Sequence, residues 1–133
     1  MKPIDLNQYL SPHFTLRELT ASGTAIRHNI ENMPGEEDVE RLRLLCRDIL
    51  EPLRRRFGVI RVTSGYRCAR LNELVGGVAS SQHLRGEAAD IHVTGPEEGH
   101  KKLSFITARL PYGQALLEHR KGSWWIHVST RRC

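Results

Sequence analysis

The segment SSQHLRGEAADIHV places His83 and Asp90 seven residues apart around Gly86, and His127 follows near the end of the chain inside SWWIHVS. Imidazole nitrogens and carboxylate oxygens are side-chain donors that zinc accepts. Two histidines with one carboxylate leave a fourth tetrahedral position open, as catalytic zinc sites do and structural ones do not. The neighbours suit such a site: Gly86 lets the backbone turn closely between the donors, and Ala88 and Ala89 leave room beside an ion. On an alternating strand Asp90 and His92 point to one face and Ile91 and Val93 to the other, so His92 is a neighbour or a substitute ligand. Seven histidines in 133 residues also produce His–Asp pairs by chance. On spacing alone, solvated or core histidines therefore remain the competing reading.

Positioning these donors requires strands and a turn. Ala88–Val93 reads as a strand after the glycine, and VIRVTS, Val59–Ser64, as another, being rich in β-branched residues. QALLEHRKGSWWIHVST shows two apolar runs around a polar segment with Gly122, the pattern of a β-hairpin that carries His127. Val39, Leu42, Leu45 or Cys46, Ile49, Leu53 and Phe57 recur at three- and four-residue steps, with acids first, arginines last and Gly58 beyond. They predict a main amphipathic helix over 36–57 that Pro52 kinks. Thr15-Leu-Arg-Glu18 has capping-box order, so a short helix or turn starts near Thr15, followed by a polar loop through Pro34 and Gly35. GYRCARLNELVGG reads as a turn, a short helix and a glycine stop. PEEGHKKLSFITARLP reads as a second long helix with Leu103, Ile106 and Leu110 on its apolar face. The order α, β, α, β, α, β, β predicts a single α+β domain over 1–133, with a small mixed or antiparallel sheet and flanking helices.

The bulk properties bound the rest. The chain, at 39% hydrophobic and 26% charged, is an ordinary globular composition for one domain. A net charge of +5 suits a polyanion, whether nucleic acid, anionic membrane or an acidic bacterial wall. Its one dense cluster, Arg54–Arg56, ends the main helix, where cations meet the negative end of the dipole. Cys46, Cys68 and Cys133 cannot all pair within the chain, which fits reduced thiols. The first residues lack the apolar stretch of a signal peptide, and no apolar run is long enough to span a bilayer. Synthesis in the cytoplasm is the expectation, with release by another agent if the protein works outside it.

SGYRCARLNELVGGVASSQHLRGEAADI followed by WIHVS resembles the M15 peptidases, the zinc D-Ala-D-Ala carboxypeptidase and peptidoglycan endopeptidase group. It is most similar to the short single-domain branch found in phages and prophages. The resemblance covers about His13 to Ser129. The pattern S-x-H-x-x-G-x-A-x-D is matched by Ser81, His83, Gly86, Ala88 and Asp90, and W-x-H by Trp125 and His127. It implies a Hedgehog/DD-peptidase-like zinc fold, with one zinc per chain held by His83, Asp90 and His127. The Hedgehog signalling domain keeps a similar zinc site, so the fold does not by itself prove hydrolysis.

Further roles follow from the same resemblance. Arg67, in SGYR, is similar to the arginine that faces bound substrate, where it would hold an oxyanion or a carboxylate; a loop-pinning arginine is the alternative. Many members place an Asp or Glu three residues before the last histidine, where this chain has Trp124. The short branch resembles Q-x-L-x-E before W-I-H-V-S, which makes Glu118 the candidate general base, with Glu87 as a rival and an exposed strand carboxylate as the bland alternative. Ser81, Gln82, Tyr66 and Trp125 are expected at the substrate cleft, with Trp124 in packing and Asn72, Gly76 and Gly77 in loop architecture. The implied partner is the peptidoglycan stem peptide, met by a monomer with no nucleic-acid or membrane partner. A zinc-bearing binding module without turnover is the alternative, and a basic nucleic-acid binder has only the charge behind it.

Overall fold

The computed structural model describes residues 3–131, so Cys133 lies outside the described residues. β1 (Tyr9–Ser11) and β2 (Phe14–Thr15) form a short antiparallel hairpin that the sequence pattern did not reveal. α1 (Leu16–Thr20) begins with the expected capping box: Thr15 Oγ1 accepts the Glu18 N–H at 3.3 Å, and Glu18 Oε1 accepts the Thr15 N–H at 3.3 Å. Where a polar loop was expected, α2 (Gly23–Arg27) forms one further short helix, capped by the Ser22 hydroxyl on the Ala25 N–H. Ile26 on it is exposed, so no apolar stripe announced this helix.

The main helix runs as α3 (Glu36–Leu45), a π-helical turn (Cys46–Leu50) and α4 (Glu51–Phe57). Proline has no N–H, and its ring crowds the carbonyl four residues back, here that of Asp48. The wider turn absorbs this just before Pro52, with the Glu51 N–H bonded to the Cys46 carbonyl. Val39, Leu42, Leu45, Cys46, Ile49, Leu50 and Leu53 from this helix are buried in the core. Burial pushes the Cys46 thiol up to about 12, which keeps it protonated and inert.

The sheet is four-stranded and wholly antiparallel, in the order β3 (Val62–Ser64), β4 (Ala88–Val93), β6 (Ser123–Thr130), β5 (Tyr112–Arg120). β3 is shorter than the expected Val59–Ser64. Val59 is 81% exposed and Ile60 turns into the core, so only the last three residues join the ladder. β5 and β6 are the expected hairpin, turning through Lys121 and Gly122 at φ 51° and 81°. α5 (Ala69–Leu74) and α6 (Pro96–Arg109) complete the set, and α6 lays Ile106 into the core with Leu103 and Leu110 packed against it. Alternation then sorts the sheet. Ala89, Ile91, Val93, Ile126 and Val128 face the helices, and Asp90, Trp125 and His127 fall on the other face.

One buried carboxylate ties the N-terminal hairpin to the main helix. Glu51 is 3% exposed, and its oxygens accept from the Ser11 hydroxyl at 2.7 Å and the His13 N–H at 2.6 Å, and lie 2.9 Å from His13 Nδ1. Burial would raise this carboxyl, but the bonds from His13 and Ser11 outweigh it and hold the group below its ordinary value. A depressed carboxyl stabilises above its unfolded value, about 4.3, and loses that contribution as pH falls through the lower folded value. Glu51→Gln should therefore cost about 1–3 kcal/mol at neutral pH and flatten the stability profile below about pH 4.3. Chemical denaturation of both proteins across pH checks this; equal stability at pH 7 would show that the tie is unimportant.

Candidate metal centre

Three elements bring the donors together. His83 sits in a 3₁₀ turn, Gln82–Arg85, whose start is capped by Ser81 Oγ accepting the His83 N–H at 3.2 Å. The turn ends at Gly86, which has φ 72° and lies so close to α3 that a Cβ there would meet the Asp38 carbonyl oxygen at 2.7 Å. Only glycine meets both demands. Asp90 lies at the middle of β4, paired with Ser64 of β3 and His127 of β6. Directly opposed antiparallel residues share a face, so the Asp90–His127 register sets two of the three donors side by side.

Asp90 Oδ1 is 3.3 Å from His83 Nε2 and 3.1 Å from His127 Nδ1, and ligand atoms of the three residues all lie within 4.8 Å of one another. Bonds of about 2.0–2.1 Å to a tetrahedral zinc give donor separations of roughly 3.3 Å, so these spacings fit the ion. The far ring nitrogens strengthen the case. His83 Nδ1 is 2.7 Å from the Gly65 carbonyl, which can only accept, so that nitrogen carries the proton and Nε2 offers a lone pair. His127 Nε2 is 2.8 Å from Gln82 Oε1, leaving Nδ1 toward Asp90. With neutral rings, three acceptors converge, an arrangement that calls for a cation among them. Burial opposes the Asp90 charge, yet when the rings are protonated the hydrogen bonds donated by His127 and His83 and their positive charge hold its carboxyl far below the usual range. The site is enclosed: side-chain exposure is 3% for His83, 17% for Asp90 and 14% for His127.

Depressions flank the triad on both sides. One, of about 350 Å³, is lined by Asp90 with Tyr66, Arg67, Trp125, Ser22 and Thr63. The other, of about 440 Å³, is lined by His127 with Ser80, Ser81, Gln82, Arg85 and Gln114. Arg67 donates from Nη1 to Asn72 Oδ1 at 3.1 Å and holds Nη2 4.0 Å from Asp90 Oδ2, while its buried Nε has no partner among the described residues. It thus both pins a loop and lines the cleft. Burial lowers the guanidinium's proton affinity and Asp90 restores part of it. Asn72 in turn donates to the Val78 carbonyl, and a Cβ on Gly77 would meet Asn72 Oδ1 at 2.1 Å, so the glycine admits this contact.

The other expected residues divide. Tyr66 is buried and combines core packing with a wall of the cleft, burial raising its phenol. Ser81 caps the ligand turn as well as lining the groove. Ala88 lies on the Asp90 face, but Ala89 points into the core and makes no room for an ion. His92 pairs with Trp125 and is outside the donor cluster. Glu87 is 2.6 Å from Arg85 Nε and lines a different groove with Arg41 and Pro111. Trp124 falls on the core side of β6 and stacks on His119 at 4.4 Å. Glu118 is exposed opposite Trp125, on the His127 face and diagonal to it. Three contributors escaped sequence reasoning. They are Gly65, Ser129 and Asn32, whose amide donates to the Thr20 and Tyr66 carbonyls and accepts the Cys68 N–H. Each acts through contacts between segments distant in sequence, which leave no local signal.

A family model described as Peptidase M15 matches residues 12–129. The chain belongs to the Peptidase M15 family. Membership supports a zinc-dependent peptidase, and among the described residues His83, Asp90 and His127 form a group that could hold the ion. No curated protein matches the chain in a sequence comparison.

Elemental analysis of the purified protein should find one zinc per chain, and His83→Ala, Asp90→Ala and His127→Ala should each lose it. Zinc at about 100 times its Kd should stabilise the parent by about 2.7 kcal/mol and leave the variants unmoved. Full metal retention by the histidine variants would place the ion elsewhere.

Proposed function

We propose that this chain is a zinc metallopeptidase that hydrolyses a peptide bond involving a D-amino acid in bacterial peptidoglycan, as a D,D-carboxypeptidase or an endopeptidase. The observation that carries the proposal is the convergence of His83, Asp90 and His127 between two depressions in an M15 chain. Zinc bound there supplies Lewis-acid polarisation of the scissile carbonyl and acidifies an attacking water to a pKa of about 7.

The protein's own groups do the rest. Glu118 takes the proton from the attacking water and returns it to the leaving amine. Its position supports the role: diagonal neighbours on paired strands lie about 7–8 Å apart, a gap that two side chains extended toward each other can bridge. Among the described residues the Glu118 side chain has no ion pair or hydrogen bond to hold it elsewhere. Arg67 holds the oxyanion or a substrate carboxylate, its guanidinium kept in place by Asn72 and Asp90. Trp125 and Tyr66 supply apolar walls for the substrate backbone. The net charge of +5 favours approach to an acidic wall polymer.

One observation favours a second reading, a zinc-bearing module that binds without turnover. The position three residues before His127 holds Trp124, which packs toward the core and offers no acid. Incubation of the zinc-loaded protein with purified peptidoglycan and defined stem peptides, followed by mass analysis, separates the two and also locates the bond. New termini next to a D-residue are expected; binding with no product would select the second reading.

Glu118→Gln should keep shape and metal yet lower turnover by about 10²-fold or more. Arg67→Ala should do likewise by about 10²-fold if it serves the oxyanion. Parental kinetics in the first would remove Glu118 as base, and in the second would leave Arg67 only its loop contacts.

A further inference from the structure

The residue after the ligand-turn cap, Gln82, was expected to meet substrate, yet its side chain is turned onto a metal ligand and a buried hydroxyl. Gln82 Oε1 lies 2.8 Å from His127 Nε2, and Gln82 Nε2 donates to Ser129 Oγ at 3.1 Å. Ser129 is fully buried, and the same oxygen accepts the Gln114 backbone N–H at 2.9 Å. A hydroxyl has two lone pairs, so it can take both donors.

We propose that Gln82 is a positioning residue that selects the tautomer of His127. This rests on the metal reading of the triad. Neutral imidazole carries one proton on either ring nitrogen, and the two tautomers of a free ring are close in energy. Only the Nε2–H form leaves Nδ1 unprotonated toward Asp90 and the ion. The Gln82 amide oxygen accepts that proton. In the observed orientation the amide nitrogen donates to Ser129 Oγ, so the oxygen is the atom presented to His127. The Ser129 hydroxyl is in turn held by the Gln114 N–H on β5. A chain of hydrogen bonds therefore runs from one strand of the hairpin, through the ligand turn, to the ring on the other strand.

His83 gets the same service from the Gly65 carbonyl, a backbone group that no substitution removes. Gln82 performs it with a side chain, so it can be tested. Gln82→Leu removes the acceptor at nearly constant volume, and Gln82→Glu keeps an oxygen acceptor for the Nε2–H. Loss of a partner that orients a metal-bound histidine generally weakens metal binding by about 10–100-fold.

Long-range ¹H–¹⁵N NMR on the zinc-free protein at pH 8 reports the His127 tautomer directly, and chelator competition reports zinc affinity. The parent and Gln82→Glu should show the Nε2–H form. Gln82→Leu should show a mixture, with zinc held about 10–100-fold more weakly and an unchanged melting temperature in the zinc-free state. Ser129→Ala, which frees the amide to rotate, should shift the tautomer in the same direction. A Gln82→Leu protein with the parental tautomer and parental zinc affinity would overturn the assignment. A parent that binds no zinc would overturn the metal reading instead, and the tautomer measurement would still decide the role of Gln82.

Discussion

The arrangement depends on a carboxylate at the centre of a sheet. Asp90 is mostly buried between β3 and β6, where an uncompensated charge costs several kcal/mol. The surroundings answer that cost from two sides. Oδ1 faces the rings of His83 and His127, and Oδ2 faces Arg67. Because Gly65 and Gln82 engage the far nitrogens of both rings, the near nitrogens face Asp90 as lone pairs when the rings are neutral. Three electron-rich atoms within 4.8 Å repel one another unless positive charge lies among them. Protons can supply it at low pH, and a bound divalent ion would supply it at neutral pH.

The fold serves this constraint by precise placement rather than by bulk. The β4–β6 register fixes Asp90 against His127, and the apolar residues that alternate with them, Ile91, Ile126 and Val128, lock that register by facing the core. A one-residue slip would bury the donors and expose the isoleucines. His83 comes from outside the sheet, on a turn pressed against α3 at Gly86 and tied to the chain before it by the Arg67 N–H on the His83 carbonyl. The turn is thus anchored both to α3 and to the segment after β3.

Features governed by neighbours in sequence were legible. The Ala88–Val93 strand, the hairpin at Gly122 and the capping box at Thr15 each depend on a few adjacent residues and appear where their patterns place them. The triad was legible through the resemblance of its motifs to the M15 pattern, since spacing alone left solvated histidines open, and the structure brings the three donors together. Pro52 signalled a disturbed helix, though a π turn rather than a sharp bend absorbs it. Features that depend on distant partners were not legible. Val59 looks like strand by composition but finds no ladder to join, and the β1–β2 hairpin is too short to show a period. The contacts of Gln82 were not legible for the same reason, since nothing beside it indicates that Ser129, 47 residues later, would hold its amide.

X-ray absorption at the zinc edge of the loaded protein tests the central claim most directly, that two imidazoles and the Asp90 carboxylate form the ion's first shell. The account predicts about four light scatterers at roughly 2.0–2.1 Å with the outer-shell pattern of two histidine rings, and no sulfur. A sulfur shell near 2.3 Å, which would draw in Cys68 or Cys133, or six oxygens with no imidazole signature, would contradict it.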